Sequence, residues 1–445
     1  MPFRRHLHRN DRETRRPLLD PRKIGGLADL VNTNGADNMK DQLQALIIAL
    51  TVISTAVLEA QDWPQWRGPD RDAVASAFNV PSRWPDELQK QWSVEVGLGY
   101  AAPVLIGDRL YLFSRQDEDE VMTALDANTG STIWRTSYAA PFDMNPATAR
   151  HRAGPKSTPT YANGRLFVHG MNGNVTAFDA DSGRQLWNVP GTGVIPLFHT
   201  GMSPLVDGDL VVVHVGGHDD GALTAFDVAT GAVRWSWDGD GPAYGSPMAF
   251  EFNGVSQVVV FSQEHFVGLS LETGALLWSR SFTTQATTTS QTPILYNNMV
   301  IQSGRGNGVT AFQVTQGSSG WSTEDVWSTD EVSLHMVNGV VHENVLFGMS
   351  HLNSGQYFGL DLETGEVLWT SAPRQAEHAS IIRSGDTIVS LEDDAELLVL
   401  EDSLTRFNPV KRYEVADSET WTQPILSGER LFIKDVSTLT LWTTN

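Results

Sequence analysis

The side chains able to bind or react are concentrated in a few irregular stretches of this 445-residue chain. The strongest cationic group is Arg150, His151, Arg152 and Lys156, set in a chain whose formal charge is −22. Guanidinium and ammonium groups hold carboxylates and other anions through charge-assisted hydrogen bonds, although the same group also serves to offset acidic neighbours. Asp238 and Asp240, in DGDGPAYG with Tyr244, offer two carboxylates to a hard cation; two ligands make no closed site. His218, Asp219 and Asp220 in GGHDDG suit a turn in which Asp bonds the backbone, without the acidic spacing of a calcium loop. His199 stands alone, Glu264 adjoins His265, and His351 opens HLNSGQ. Arg374, Glu377 and His378 form a further group, followed by Glu419 and Trp421. No His pair has helical metal-ligand spacing, and no G-x-S-x-G, phosphate loop or H-E-x-x-H occurs. The SGRGNG at 303–308 lies between strand-like runs and not before a helix, which argues against a dinucleotide site.

The elements that must position these residues are repeats. An eleven-residue phrase (small, apolar, Asp, two variable, Thr or Ser, Gly, three variable, Trp) reads ALDANTGSTIW at 124–134, AFDADSGRQLW at 177–187 and AFDVATGAVRW at 225–235. It returns as GLSLETGALLW at 268–278 and GLDLETGEVLW at 359–369. A second phrase alternates with it: a small residue and Pro, a short apolar stretch, a Gly or Asn turn, then a β-rich run. Its copies start at 102, 158, 203, 246, 292 and 423, and weaker copies without the Pro lie at 332–350 and 380–391, making eight. Each phrase reads as two strands joined by a turn, so one period is a four-stranded antiparallel unit, A to D. Such units repeated radially make a β-propeller. The fold class expected is therefore all-β: an eight-bladed propeller of four-stranded blades over 91–445.

Ring closure is expected at the chain ends. After the eighth A–B pair, residues 439–442 supply a C strand and the chain stops, while QWSVEV at 91–96 is D-like and carries Trp92. The N-terminal strand would complete the last blade and remove its free edge. One D-strand aromatic per blade follows: Trp92, Trp134, Trp187, Trp235, Trp278, Trp327 (preferred to Trp321), Trp369 and Tyr413. These read as packing residues that cover the gap between blades, with an indole N–H that needs a partner. The D–A and B–C loops open on one face, and these irregular loops carry the candidate binding residues named above. The A–B and C–D turns open on the other face, and the C–D turns are short and alike.

The N-terminus reads as a targeting segment. Residues 1–38 hold eight Lys/Arg against five Asp/Glu and are expected to be disordered, through composition or an early start codon. Lys40, the uncharged apolar run 42–58 and the small residues ending at Ala60 have the layout of a secretory signal; an uncleaved membrane anchor is the alternative. Residues 61–90 are a lead-in. From Gln61 onward 46 acidic residues oppose 22 basic ones, which disfavours nucleic acid and anionic lipid as partners. The chain has no cysteine, which excludes disulfides, thiolate metal sites, covalent haem and an N-terminal lipid-modified Cys.

The phrase A-x-D-x-x-T-G-x-x-x-W resembles the tryptophan-docking repeat of pyrroloquinoline-quinone (PQQ) propellers, and the likeness covers residues 91–442. DWPQWRGPDRD at 62–72 is similar to the mature start of secreted bacterial PQQ-binding-like repeat proteins. The resemblance implies one of two functions. One is a non-catalytic binding or scaffold module, as in the lipoprotein propeller of the outer-membrane β-barrel assembly machinery. The other is a quinoprotein dehydrogenase oxidising an alcohol or sugar with PQQ and Ca²⁺. The chain lacks the adjacent cysteine pair and haem segment of many such enzymes, and no catalytic residue transfers by motif. The expectation is an exported, periplasmic or secreted, monomeric scaffold with an envelope-protein or small-molecule partner and no cofactor; PQQ with Ca is the alternative.

Overall fold

Continuous apolar runs such as LVVVHV can be strands only if both faces are buried, and stacking blades face to face meets that demand. The computed structural model describes residues 62–141, 143–401 and 403–445. The expected basic extension and signal, 1–60, lie outside them. The described residues form eight four-stranded antiparallel sheets. In the first blade, strand A is Val104–Ile106, B is Arg109–Gln116, C is Asp119–Asp126 and D is Thr132–Ala139. B and C are buried nearly throughout, whereas D alternates toward solvent. No helix among the described residues is long and apolar enough to cross a membrane.

The eighth sheet joins the two ends of the propeller. Gln89–Glu95 runs antiparallel to Thr438–Thr443, with Trp92 opposite Leu441, and beyond it lie Arg430–Lys434 and Ile425–Ser427. The closing strand begins two residues earlier than its sequence pattern suggests.

The Asp and Thr-Gly of the long phrase build one turn repeatedly. Asp126 Oδ1 accepts from Asn128 N, Thr129 N and Thr129 Oγ1 at 2.9–3.0 Å, and the Thr129 bonds hold its carboxyl below the ordinary range. Gly130 follows at φ +71°. The same turn recurs at Asp179, Asp227 and Asp361. The preceding blade's indole packs on it. Trp134 Nε1 donates to Ala180 O (3.0 Å), Trp187 to Val228 O (3.1 Å), Trp235 to Leu271 O (2.9 Å), Trp327 to Leu362 O (2.9 Å) and Trp369 to Ser403 O (3.1 Å). Trp92 reaches Ala127 O at 3.2 Å. The turn glycine is required twice over: a Cβ on Gly183, at φ +70°, would lie 2.4 Å from the Trp134 ring, and only Gly adopts that φ freely. Trp278 differs, donating to Gln257 Oε1 in its own blade at 2.8 Å. The physical reason is blade five, where strands Val309–Gly317 and Gly320–Thr329 form a long hairpin in place of the short C–D turn that receives the other indoles. Tyr413 bonds Pro85 O through its hydroxyl (2.7 Å).

The small-residue–Pro phrase builds a second set of inter-blade bonds nearer the axis. Ala102 N donates to Thr158 Oγ1, Thr158 N to Ser203 Oγ, Ser203 N to Ser246 Oγ and Thr292 N to Asn338 Oδ1, at 2.7–3.1 Å. The Pro that follows Thr158, Ser203 and Thr292 keeps each of them extended.

The lead-in segment enters the axis and bonds all eight blades. Trp63 and Leu105 exchange backbone bonds (2.7 and 3.0 Å), and Tyr161 N donates to Pro64 O (2.7 Å). Arg71 donates to Ser203 O, Pro204 O and Pro247 O of blades three and four. Trp66 Nε1 reaches Thr292 Oγ1 of blade five (2.9 Å). Arg67 donates to Asn338 O and Gly339 O of blade six, and its own N–H to Gln423 Oε1 of blade eight. Ala73 and Ala75 pair with Arg383 of blade seven, and Asn79 N bonds Gly428 O. Arg67 and Arg71 are 3% and 4% exposed, and burial pulls them down to about 10 and about 9. The chain then leaves past Trp84, packed near Tyr413, to become the closing strand.

Candidate functional site

With the plug in place the axial channel becomes a cup on the D–A/B–C face, with a volume of about 340 Å³. Trp66, rising from the plug, forms part of its lining beside Thr292. Tyr100, Phe198, Tyr244 and Trp421 add aromatic surface. Trp421 stacks on His378 at 4.9 Å and 13°, and Phe198 meets Tyr244 at 5.8 Å. The starts of the inner strands place Ser203, Ser246, Thr292 and Asn338 in the lining, with Thr288 and Ser290 from the loop before blade five.

The charged groups are of one sign. Among the described residues, Lys156 and Arg305 line the cup and no Asp or Glu does. Lys156 Nζ donates to Phe198 O at 2.9 Å, and burial lowers its ammonium to about 8. His335 is pulled to about 4 by burial and then by Arg305 and His351, so it is a neutral imidazole at pH 7. Burial pushes the Tyr244 phenol up; its oxygen accepts from Phe198 N at 3.0 Å and shares a 3.2 Å hydrogen bond with His218 Nε2.

Of the candidates read from sequence, Lys156, Tyr244, His378 and Trp421 are brought together in the cup. His199 is buried nearby, its Nε2 accepting from Asn145 N at 3.3 Å. Arg152 is exposed at φ +59°. Arg150 and His151 belong to the 3-10 helix Pro146–His151, and their side chains lie outside the described residues. Asp240 is occupied as an acceptor: Oδ2 takes bonds from Ser262 Oγ, Glu264 N and His265 Nδ1 at 2.6–2.9 Å. Burial would raise its carboxyl, but these bonds outweigh burial and hold it below the ordinary value. Asp238 and Glu264 are exposed. His351 bonds Ser333 O at 3.0 Å and meets His335 edge-on at 5.7 Å. Arg374 and Glu377 lie in the exposed loop before blade seven. Sequence reading missed Trp66, Tyr100, Phe198, Arg305 and His335. It also missed the hydroxyl ring, although Ser203, Ser246 and Thr292 stand at the head of the Pro phrases.

A calcium ion beside a quinone needs several oxygen ligands, carboxylates among them, and the cup lining supplies no carboxylate. Among the described residues no group of three His, Cys, Asp or Glu is arranged to hold a metal ion. The donor set does not fit PQQ with Ca²⁺.

Comparison with known proteins agrees with the fold. The chain is 29% identical over 150 residues to the outer membrane protein assembly factor BamB of Shewanella oneidensis, covering 33% of this chain and 36% of that one. The chain spans about a third to three-fifths of the length of the curated relatives it matches. Among solved structures, BamB from Moraxella catarrhalis aligns with a TM-score of 0.57 at 16% identity, covering 80% of this chain and 99% of that one. The quinohemoprotein alcohol dehydrogenase ADHIIG from Pseudomonas putida aligns at 0.61 and 12%, covering 86% and 80%; both likenesses concern the fold alone. The profile of the family described as outer membrane protein assembly factor BamB matches residues 86–238 and 117–371. These matches run from the closing strand through the sixth blade, and the chain belongs to that family.

Proposed function

We propose that this propeller is an exported, non-catalytic binding or scaffold module of the bacterial cell envelope, working through the D–A/B–C face. The observation that carries this reading is the cup: open on one face, backed by the plug, lined by aromatic rings and hydroxyls, and, among the described residues, without a carboxylate to act as base or to hold a metal ion. The relatives named as assembly factors support the scaffold role, and the same family likeness supports a periplasmic location and a protein partner. The alternative, a PQQ- and Ca²⁺-dependent dehydrogenase of alcohols or sugars, is supported by relatives such as the methanol dehydrogenase subunit of Paracoccus denitrificans, 25% identical over 250 residues. It requires a carboxylate base and a Lewis-acid ion at the reacting carbon.

Photo-crosslinking in cells separates the readings. A photoreactive residue at Leu197, an exposed apolar residue in the loop that supplies Phe198 to the cup, yields protein adducts, whereas one at Thr230, in a C–D turn, yields none. Equal adducts from both sites, or none from Leu197, would remove the binding-face reading. Stoichiometric retention of PQQ and Ca²⁺ by the full chain, with dye reduction on alcohols or sugars, would establish the dehydrogenase instead.

A further inference from the structure

The cup has the chemistry of a site for a small acidic sugar, a conclusion that rests on the cup being the working site. Three independent features converge. The first is the aromatic lining: Trp66, Tyr244 and Trp421 present apolar ring surface, against which the C–H faces of a pyranose pack while its hydroxyls stay free to bond.

The second is an excess of hydrogen-bonding capacity. Ser203 Oγ, Ser246 Oγ and Thr292 Oγ1 accept from Thr158 N, Ser203 N and Trp66 Nε1 at 2.9–3.0 Å. Accepting uses one lone pair, so each hydroxyl keeps its proton to give. Ser290 Oγ and His335 Nε2 are shielded from bulk solvent and find no partner among the described residues. Buried polar atoms are nearly always bonded, so these two mark positions that an incoming polar atom would complete.

The third is charge. Lys156 is half-buried with a backbone carbonyl, Phe198 O, as its hydrogen-bond partner, and Arg305 shares the lining. No carboxylate of the lining balances either, in a body whose acidic residues outnumber its basic ones two to one. A desolvated cation without a counter-ion is costly, and a ligand carboxylate would offset that cost.

We infer that the cup binds a hexuronate, with its ring on the aromatic surface, its hydroxyls on the Ser/Thr ring and Ser290, and its carboxylate on Lys156. A flat aryl carboxylate would satisfy the cations and leave the hydroxyl ring unmatched; a neutral sugar would leave Lys156 unpaired. The volume of about 340 Å³ lies at the small end of the ~300–1,000 Å³ usual for such sites.

The test titrates the full chain with D-glucuronate, methyl glucoside and benzoate, followed by calorimetry and by the fluorescence of the cup tryptophans. Glucuronate is expected to bind at least about tenfold tighter than either comparator, the margin one well-placed charged hydrogen bond supplies. Lys156→Met should erase the preference for glucuronate over methyl glucoside. Because that site is half-buried, Arg305→Gln, at an exposed position, serves as the second variant and should lower the preference while leaving the circular dichroism spectrum unchanged. Benzoate binding as tightly as glucuronate would overturn the sugar assignment. No glucuronate binding at millimolar concentration, with the Leu197 adducts still formed, would overturn the ligand while leaving the binding face standing; loss of both would sink both.

Discussion

The perimeter of this ring and its axis are held together by opposite strategies. At the perimeter one contact is used repeatedly: an indole from one blade lies on the C–D turn of the next and donates to a backbone carbonyl there at 2.9–3.2 Å. At the axis one unrepeated segment is used once, and it touches every blade. The perimeter is redundant, because each docked indole ties only neighbours. The plug is not, because two buried guanidiniums supply donors to carbonyls of blades three, four and six together. Repetition spreads the work; the single segment concentrates it.

The largest effect should follow from breaking the axis. Arg67→Met leaves the carbonyls of Arg71, Asp72, Asn338 and Gly339 without that donor. Each buried unsatisfied group costs about 1–3 kcal/mol, so urea denaturation should show a loss on the order of 4 kcal/mol or more. A loss below about 1 kcal/mol would mean that the plug merely fills space.

A smaller effect is expected at the perimeter. Trp187→Phe keeps an aromatic ring and removes the bond to Val228 O, at a cost of about 1–2 kcal/mol. Trp235→Phe should cost the same, and the double variant should be close to additive, since each indole lies on a different turn. Strong non-additivity would show that the perimeter acts as a unit and would erase the contrast.

A pH-dependent effect concerns a third kind of contact, between blades six and seven. Tyr357 Oη donates to Glu392 Oε1 at 3.0 Å and shares a 2.7 Å bond with Ser390. Burial pushes the Glu392 carboxyl up to about 8. The folded chain therefore binds a proton that the unfolded chain releases near 4.5, and stability falls as pH rises between those values. Glu392→Gln should remove that slope, flattening melting temperature against pH from about 5 to 8. Parallel curves for the two proteins would show that Glu392 ionises as freely in the fold as outside it.

Most of the ring was legible because its signals are local and recur. The Asp–Thr-Gly turn, the alternating D strand and the Trp ten residues after the leading small residue lie within eleven positions, and five copies corroborate one another. Closure by the Trp92 strand followed from counting strands. Trp278 broke the pattern where its neighbour carries a long hairpin in place of the short C–D turn. The cup was legible in part. Lys156, Tyr244, His378 and Trp421 stood in loops expected to share a face, but nothing local distinguished them from Arg374 or Asp238, which the fold leaves outside the lining.

Sequence alone determined the number of blades, the order of strands and the face on which irregular loops meet, because hydrogen-bonded turns and two-residue alternation are properties of short segments. Tertiary structure alone decided what fills the axis. Trp66 finds Thr292 across 226 positions and Arg67 finds Gln423 across 356, and neither partner has periodicity to announce it. Closing the ring brings the heads of eight inner strands around one line, and only there do a tryptophan, a ring of hydroxyls and a half-buried lysine become a single site.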